Sequence, residues 1–392
     1  MKKITPIAAS LVALTMLAAA CGGDDDGSSD TTAAAATTVA GSDTTAAATD
    51  TTAASTDTTE ASTDSTAAGG EAVDVDTNGD GKVIVGIATP GPRNDGAYYQ
   101  ALVDGLTDWS ADHGFEEPIV VDNIKPEEAQ TSLDSLARQN VDIIAVGAGE
   151  IAEPLVELTE TYSDVIWYCN CGAGFDDLPN LIQQGDDGSE LSYSAGVATG
   201  LLLQAAGKDS SAMIGNNNFN FEKESFGGFK LGLASVDPAL AEKWTYVATG
   251  SFNDVAAATE AFNNLKDQGV GAVYPYLGGA HEAIVKLANE AGIITMSAGA
   301  ANACDRTDLD YDIAVRFDSG VYAIAVFDKI LSGEVGRGDR YVFHVGVDDN
   351  VGAEICDPTP EQQAAMDAAY AEIASGALQA QFEANKAEAY AS

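Results

Sequence analysis

The stretch from Val83 to Gln100, VIVGIATPGPRNDGAYYQ, decides the fold. Val83, Ile84, Val85 and Ile87 make the apolar run that a strand buried on both faces requires. Thr89-Pro90-Gly91-Pro92 stops it, because proline removes backbone donors and fixes φ. A helical pattern then restarts at Gly96, with Tyr98, Ala101, Leu102, Gly105, Leu106 and Trp109 on one face. The reading is strand, loop, helix, with Arg93, Asn94 and Asp95 displayed at the strand's carboxyl end. In open α/β sheets that edge is where ligands bind.

Working outward, the same alternation continues. Strands are predicted over 119–121, 143–146 and 165–168, with helices over 96–113, from Pro126 onward, and over 155–161. A second series follows: helices over 191–206, 226–235, 255–266 and 280–291, and strands over 212–214, 246–248, 272–274 and 293–296. The text Leu136-Ala137-Arg138-Gln139-Asn140-Val141-Asp142-Ile143 aligns with Leu265-Lys266-Asp267-Gln268-Gly269-Val270-Gly271-Ala272, an offset of 129 (265 minus 136). Two similar lobes follow, each a parallel sheet flanked by helices. The last part predicts strands over 313–317 and 341–345 and helices over 321–331, 360–373 and 378–390. The expected organisation is lobe 1 over 82–188, lobe 2 over 189–298, a return to lobe 1 through the hinge over 299–335, and a closing strand with C-terminal helices over 336–392.

Before the first lobe, the basic start Met1-Lys2-Lys3, a broken apolar segment and Leu17-Ala18-Ala19-Ala20-Cys21 resemble a bacterial lipoprotein signal over 1–21, with lipidation expected at Cys21. Leu17 stands one place earlier than such signals usually have it. Residues 22–81 are mostly Asp, Ser, Thr, Ala and Gly, too poor in apolar side chains to offset ordering entropy, and are expected to form a disordered acidic stalk. The whole chain has 61 acidic against 18 basic residues, a formal charge of −43, which excludes nucleic acid and anionic membrane surfaces as partners.

At the stalk's end Asp76-Thr77-Asn78-Gly79-Asp80-Gly81 matches half of a calcium loop, but its twelfth position is Ile87 rather than Glu. The other reading is an Asx-type turn, and no metal is expected. Four cysteines remain beyond Cys21. A long-range disulfide between Cys304 and Cys356 is expected, whereas Cys169-Asn170-Cys171 has poor spacing for pairing with itself, and the partners of those two stay open.

Three texts carry a family resemblance: Asn94-Asp95-Gly96-Ala97-Tyr98-Tyr99-Gln100 leading to Gly105-Leu106, then Phe226-Gly227-Gly228-Phe229-Lys230-Leu231-Gly232, then Thr249-Gly250-Ser251-Phe252-Asn253-Asp254 with the Ala-rich helix to Gln268-Gly269. In order and spacing they resemble the basic membrane protein family, the solute-binding lipoproteins of ABC importers that include bacterial purine nucleoside receptors. The resemblance implies a two-lobed α/β architecture of the periplasmic-binding-protein type I class. It also implies a monomer anchored by lipid on the extracytoplasmic face of the cell membrane, with no cofactor. Such a protein passes a small polar heterocyclic solute, purine nucleoside-like, to an ABC permease. The alternative is a sensor component of the same architecture that recognises a sugar or signal molecule.

The relatives' first loop reads Asp-x-Ser-Phe-Asn. Laid on this chain it gives Asp95, Ala97, Tyr98 and Tyr99, keeping the aromatic and losing the serine and asparagine. Asp95 is open to two roles, ligand contact and helix cap, and Tyr98 to two, stacking and core packing. The loop Gly147-Ala148-Gly149-Glu150 offers Glu150, and Asn216-Asn217-Asn218-Phe219-Asn220-Phe221 offers Asn217, Phe219 and Phe221, amides and π faces suited to a planar heterocycle. Tyr276 follows another strand, with Gly278 and Gly279 beside it. Relatives carry an aspartate for ribose hydroxyls where Met296-Ser297-Ala298-Gly299-Ala300 has none, and a later lysine is missing, with Arg316 and Asp318 nearby instead. Catalysis is not expected: the three histidines are scattered, and neither a nucleophile-elbow text nor a phosphate-binding Gly-x-x-x-x-Gly-Lys occurs.

Overall fold

A computed structural model describes residues 74–216, 219–300 and 302–391, all within one compact unit. The expected lipidation site Cys21 and the candidate Asn217 lie outside the described residues. The chain runs β1 (Val85–Ala88), α1 (Tyr98–Asp112), β2 (Ile119–Val121), α2 (Ala129–Ala137), β3 (Ile143–Val146), α3 (Leu155–Thr161), β4 (Ile166–Cys169) and β5 (Leu181–Asp186). It continues through α4 (Gly188–Ala206), β6 (Ser211–Gly215), α5 (Asn220–Val236), α6 (Pro238–Glu242), β7 (Trp244–Ala248), α7 (Val255–Asp267), β8 (Ala272–Pro275), α8 (His281–Ala291) and β9 (Ile294–Thr295). The last elements are β10 (Ile313–Arg316), α9 (Ser319–Ser332), β11 (Arg340–Phe343), β12 (Gly352–Ile355), α10 (Pro360–Ala374) and α11 (Gln379–Ala391).

The first sheet has the order β2-β1-β3-β4-β5-β11 and is parallel throughout. The second has the order β7-β6-β8-β9, also parallel. The first four strands of each lobe therefore follow one plan: the founding strand pairs with its successor on one side and with the third strand on the other. The internal repeat agrees, since β3 and β8 begin at Ile143 and Ala272, the aligned pair of the 129-residue offset (272 minus 143). In such sheets the chain switches sides between the first and third strands, leaving a crevice at their carboxyl ends.

Three crossings join the lobes. The chain leaves the first sheet after β5, returns at α9, and leaves again after β11. The return starts later than expected: β10 pairs antiparallel with β12, and isolated parallel bridges tie Met296 to Ile313 and Gly299 to Arg316, so residues up to Arg316 stay with the second lobe. Glu190 at the start of α4 accepts from His344 Nδ1 (3.2 Å) and Val345 N (3.1 Å), which fastens the first crossing to the third.

Glycine sets how closely two helices approach. α9 packs on α1 at Gly320, where a Cβ would lie 2.2 Å from the Ala101 carbonyl oxygen, closer than any side chain permits. The stretch expected to end the stalk is built in. Asp142, fully buried, accepts from Thr77 N (3.0 Å) and Ile84 N (2.9 Å), while Asp76 accepts from Gly79 N (2.8 Å) and Gly81 N (2.9 Å). Backbone donors thus take the oxygens of the calcium-like text in an Asx-type turn. Among the described residues no helix is long and apolar enough to cross a membrane.

Candidate functional site

The carboxyl ends of both sheets converge on a cavity of about 260 Å³, near the small end of ligand pockets. One end is aromatic. Tyr98 and Tyr99 open α1 after β1, Phe221 opens α5 after β6, and Phe252, Tyr276 and Phe317 follow β7, β8 and β10. Their rings form a continuous series: Tyr99 to Tyr98 at 5.8 Å, Tyr98 to Phe317 at 6.0 Å, Phe317 stacked on Tyr276 at 5.8 Å, and Tyr276 to Phe221 and Phe252 at 6.4 Å each. These separations suit ring-to-ring attraction and present π faces to a solute. Gly172 (φ +77°) brings the backbone after β4 against Phe221: a Cβ there would stand 3.0 Å from the ring.

The loop after β4 corrects one expectation. Cys169 and Cys171 are joined in a disulfide, because the chain bends as it leaves the strand and brings their Cα atoms to 5.1 Å, inside the range a disulfide spans. An extended backbone would have held them about 6.6 Å apart. Cys304 and Cys356 are also joined, linking the segment before β10 to the residue after β12.

The other end of the cavity is acidic and is built by three elements. The end of β5 supplies Asp186 and Asp187, α5 supplies Glu224, and α11 supplies Lys386 and Tyr390. Asp187, only 3% exposed in its side chain, binds Lys386 Nζ at 2.6 Å and caps α4 by accepting from Ser189 N and Glu190 N. Glu224 accepts from Ser189 N (3.0 Å) and Tyr390 Oη (2.8 Å). Burial, then the neighbouring charge of Asp187, raises the Glu224 pKa. Asp186 is pushed up to about 7 by burial and by the charges of Glu224 and Asp187. Asp187, Glu190 and His344 are the one group of described residues whose ligand-type atoms converge within 4.8 Å. Lys386 already occupies Asp187, and His344 with Val345 already occupies Glu190, so the group works as an ion-pair network.

Of the residues singled out from sequence, Tyr98, Tyr99, Glu150, Phe221 and Tyr276 line the cavity. Burial raises the Glu150 pKa, and its carboxylate accepts from Tyr99 Oη at 3.1 Å. The structure does not bring the other described candidates there. Asn94 is exposed in the turn before α1. Asp95 is consumed as a cap, its carboxylate accepting from the backbone N–H groups of Ala97 (3.0 Å), Gln100 (2.9 Å) and Tyr99 (3.3 Å). Phe219, 37% exposed, stacks on the outer side of Phe221 at 5.5 Å. Arg316 turns to Glu354 (3.1 Å) and Tyr370 Oη (3.3 Å) behind the sheet. Asp318 caps α9 through Gly320 N and Val321 N and borders a separate surface depression. Sequence reasoning missed Asp186, Asp187, Glu224, Lys386 and Tyr390. The Gly185-Asp186-Asp187-Gly188 text was the one local signal, a carboxylate pair between two glycines at a strand end.

Two parallel sheets of one plan, with a cavity between their carboxyl ends, define a two-lobed solute-binding protein of the periplasmic-binding-protein type I class. Solved structures share this fold. An ABC transporter solute-binding protein from Aeropyrum pernix K1 is similar with a TM-score of 0.65 at 14% identity, over 78% of this chain and 99% of its own. One from Conexibacter woesei DSM 14684 gives 0.54 at 21%, over 76% and 97%. A transcriptional activator of the comK gene from Bacillus halodurans gives 0.59 at 16%, over 75% and 98%. Residues 82–302 match Bmp, the PnrA-like ABC transporter substrate-binding proteins, and the chain belongs to that family. It is accordingly the extracytoplasmic component that binds a small-molecule solute for an ABC permease, a transport role rather than a catalytic one.

Proposed function

We propose that the chain captures one small polar solute with a planar ring, closing its two lobes around it before delivery to the permease, and that a lipid on Cys21 holds the receptor at the membrane. The observation that carries the reading is the series of six rings around a cavity of about 260 Å³. A planar heterocycle between such faces exchanges water for π contact on both sides. Burial holds the hydroxyls of Tyr98, Tyr99 and Tyr276 well above their usual pKa, so they stay protonated donors at neutral pH. Purine nucleosides are the first solutes to test. The ribose side is less favoured, since Ala298 lines the cavity in the segment where the resemblance would have put an aspartate.

The test is a melting screen of the folded chain against nucleosides, bases, sugars and amino acids. The cognate class should stabilise by about 2.7 kcal/mol at a hundredfold excess over its Kd. Failure of every ring-bearing compound, with a shift from sugars or aliphatic amino acids alone, would overturn the ring-binding reading. Cys21→Ser should release the protein from the membrane fraction, and unchanged fractionation would remove the lipid anchor.

A further inference from the structure

The charges lining the cavity do not balance. Its acids are Glu150, Asp186, Asp187 and Glu224, and its bases are Arg340 and Lys386. Both bases are already engaged. Lys386 Nζ lies 2.6 Å from Asp187, and Arg340 lies 2.7 Å from Asp177 and donates to the Phe175 carbonyl at 2.6 Å. Pairing Lys386 with Asp187 and Arg340 with Asp177 leaves three carboxyl groups facing the cavity without a counter-charge. Glu150 and Glu224 are held by the neutral donors Tyr99 and Tyr390. Asp186 receives no hydrogen bond from another of the described residues. A carboxylate withdrawn from water into such a space demands either a proton or a cation.

The rest of the cavity wall makes the same demand by different chemistry. Aromatic faces attract cations through their quadrupole, and cages of several rings are how proteins bind substituted ammonium groups. A formal charge of −43 on the whole chain adds a long-range field that draws cations and repels anions. Taking the cavity as the solute site proposed above, we propose that the solute is a small organic cation, its ring lying among Tyr98, Phe221, Tyr276 and Phe317 and its protonated amine or quaternary nitrogen at the Asp186 and Glu224 end. Glu150 adds a second acceptor at the ring end for an N–H of the solute.

Calorimetry on the folded chain with matched pairs tests this: tryptamine against tryptophol, tyramine against tyrosol, and benzyltrimethylammonium against its uncharged carbon isostere, with adenosine and guanosine as neutral ring-bearing references. The cationic member of at least one pair should bind at least about tenfold more tightly than its neutral partner. Asp186→Asn should shrink that preference by about 10- to 100-fold. The same variant, without solute, should melt at or above the wild-type temperature, because it removes one charge from an acid cluster, and this separates lost recognition from lost folding. Neutral partners or nucleosides that bind as well as the cations would overturn the inference and leave the receptor reading standing, as would a preference that survives Asp186→Asn. If no compound here and none of the sugars and amino acids binds, both fall together.

Discussion

The two ends of the cavity are built by opposite strategies. The aromatic end is local: each ring sits on the first residues after a sheet strand, and its neighbours are other such residues. The acid end is long-range. Lys386 meets Asp187 across 199 positions, Tyr390 meets Glu224 across 166, and Asn385 donates to the Glu224 carbonyl across 161. α11 therefore closes the cavity wall from the far end of the described sequence. The difference separates two jobs. Rings at strand ends can be exchanged to change what is bound with little effect on the fold, whereas the paired groups of the acid end, Asp187 with Lys386 and Glu224 with Tyr390, hold α11, α5 and the first crossing together and cannot be changed without loss of stability.

The largest effect expected from that division is at Lys386. Lys386→Met keeps the aliphatic stem but removes the ammonium from Asp187, which is nearly fully buried. An uncompensated buried charge costs about 3 kcal/mol, read as a fall in the denaturation midpoint. Phe221→Leu at the other end should cost only about 1 kcal/mol, because the ring is partly exposed to the cavity, while weakening solute binding. Equal losses of stability at both sites would break the division.

Next in size is a dependence on pH that is largest at the acid end, at Asp186. Asp186 carries a pKa of about 7 in the folded chain against 3.8 for the ordinary side chain. Between those values the native state holds more protons than the unfolded one, so stability falls as pH rises. The contribution is intact below about pH 4 and lost by about pH 7, an effect of about 2 kcal/mol once partial exposure is allowed for. Asp186→Asn should flatten that part of the stability curve and gain most at pH 8. A wild-type profile with no decline between pH 4 and 7, or an unchanged slope in the variant, would mean that Asp186 is solvated and ordinary.

The same contrast explains what could be read from the sequence. Apolar runs that end in glycine, proline or amide loops marked the strands from β1 to β4 and β6 to β9, and with them the loops that carry Tyr98, Phe221 and Tyr276. β5 escaped because Gln183 and Gln184 interrupt its pattern, yet each is 1% exposed. Gln184 Oε1 accepts from Tyr168 Oη and Asn170 Nδ2, and Gln183 Nε2 donates to the Asp176 carbonyl, so one polar end of each side chain is satisfied inside, while Gln183 Oε1 and Gln184 Nε2 have no partner among the described residues. With that strand went Asp186 and Asp187. β12 escaped too, since Gly352-Ala353-Glu354-Ile355 is short and carries a charge, and its pairing with β10 is what kept Arg316 behind the sheet. Asp95 was read with both its roles and folds into the capping one, where burial raises its pKa and three backbone donors offset part of that desolvation. Nothing local in the text of α11 points to a cavity some 200 residues upstream.

The smallest effect tests where the boundary between the two ends lies. Glu150 is an acid at the aromatic end, tied to Tyr99 by one hydrogen bond of 3.1 Å. If it belongs with the rings, Tyr99→Phe removes a neutral donor from a buried acceptor and costs about 1 kcal/mol, leaves every ring in place, and changes solute affinity by no more than about twofold. If Glu150 instead takes part in recognition and Tyr99 holds its carboxyl in position, the same variant costs little stability and weakens binding by about tenfold, a loss confined to solutes with an N–H donor. Unfolding curves and titrations on one preparation of Tyr99→Phe distinguish the two, because the first places its effect in the denaturation midpoint and the second in Kd.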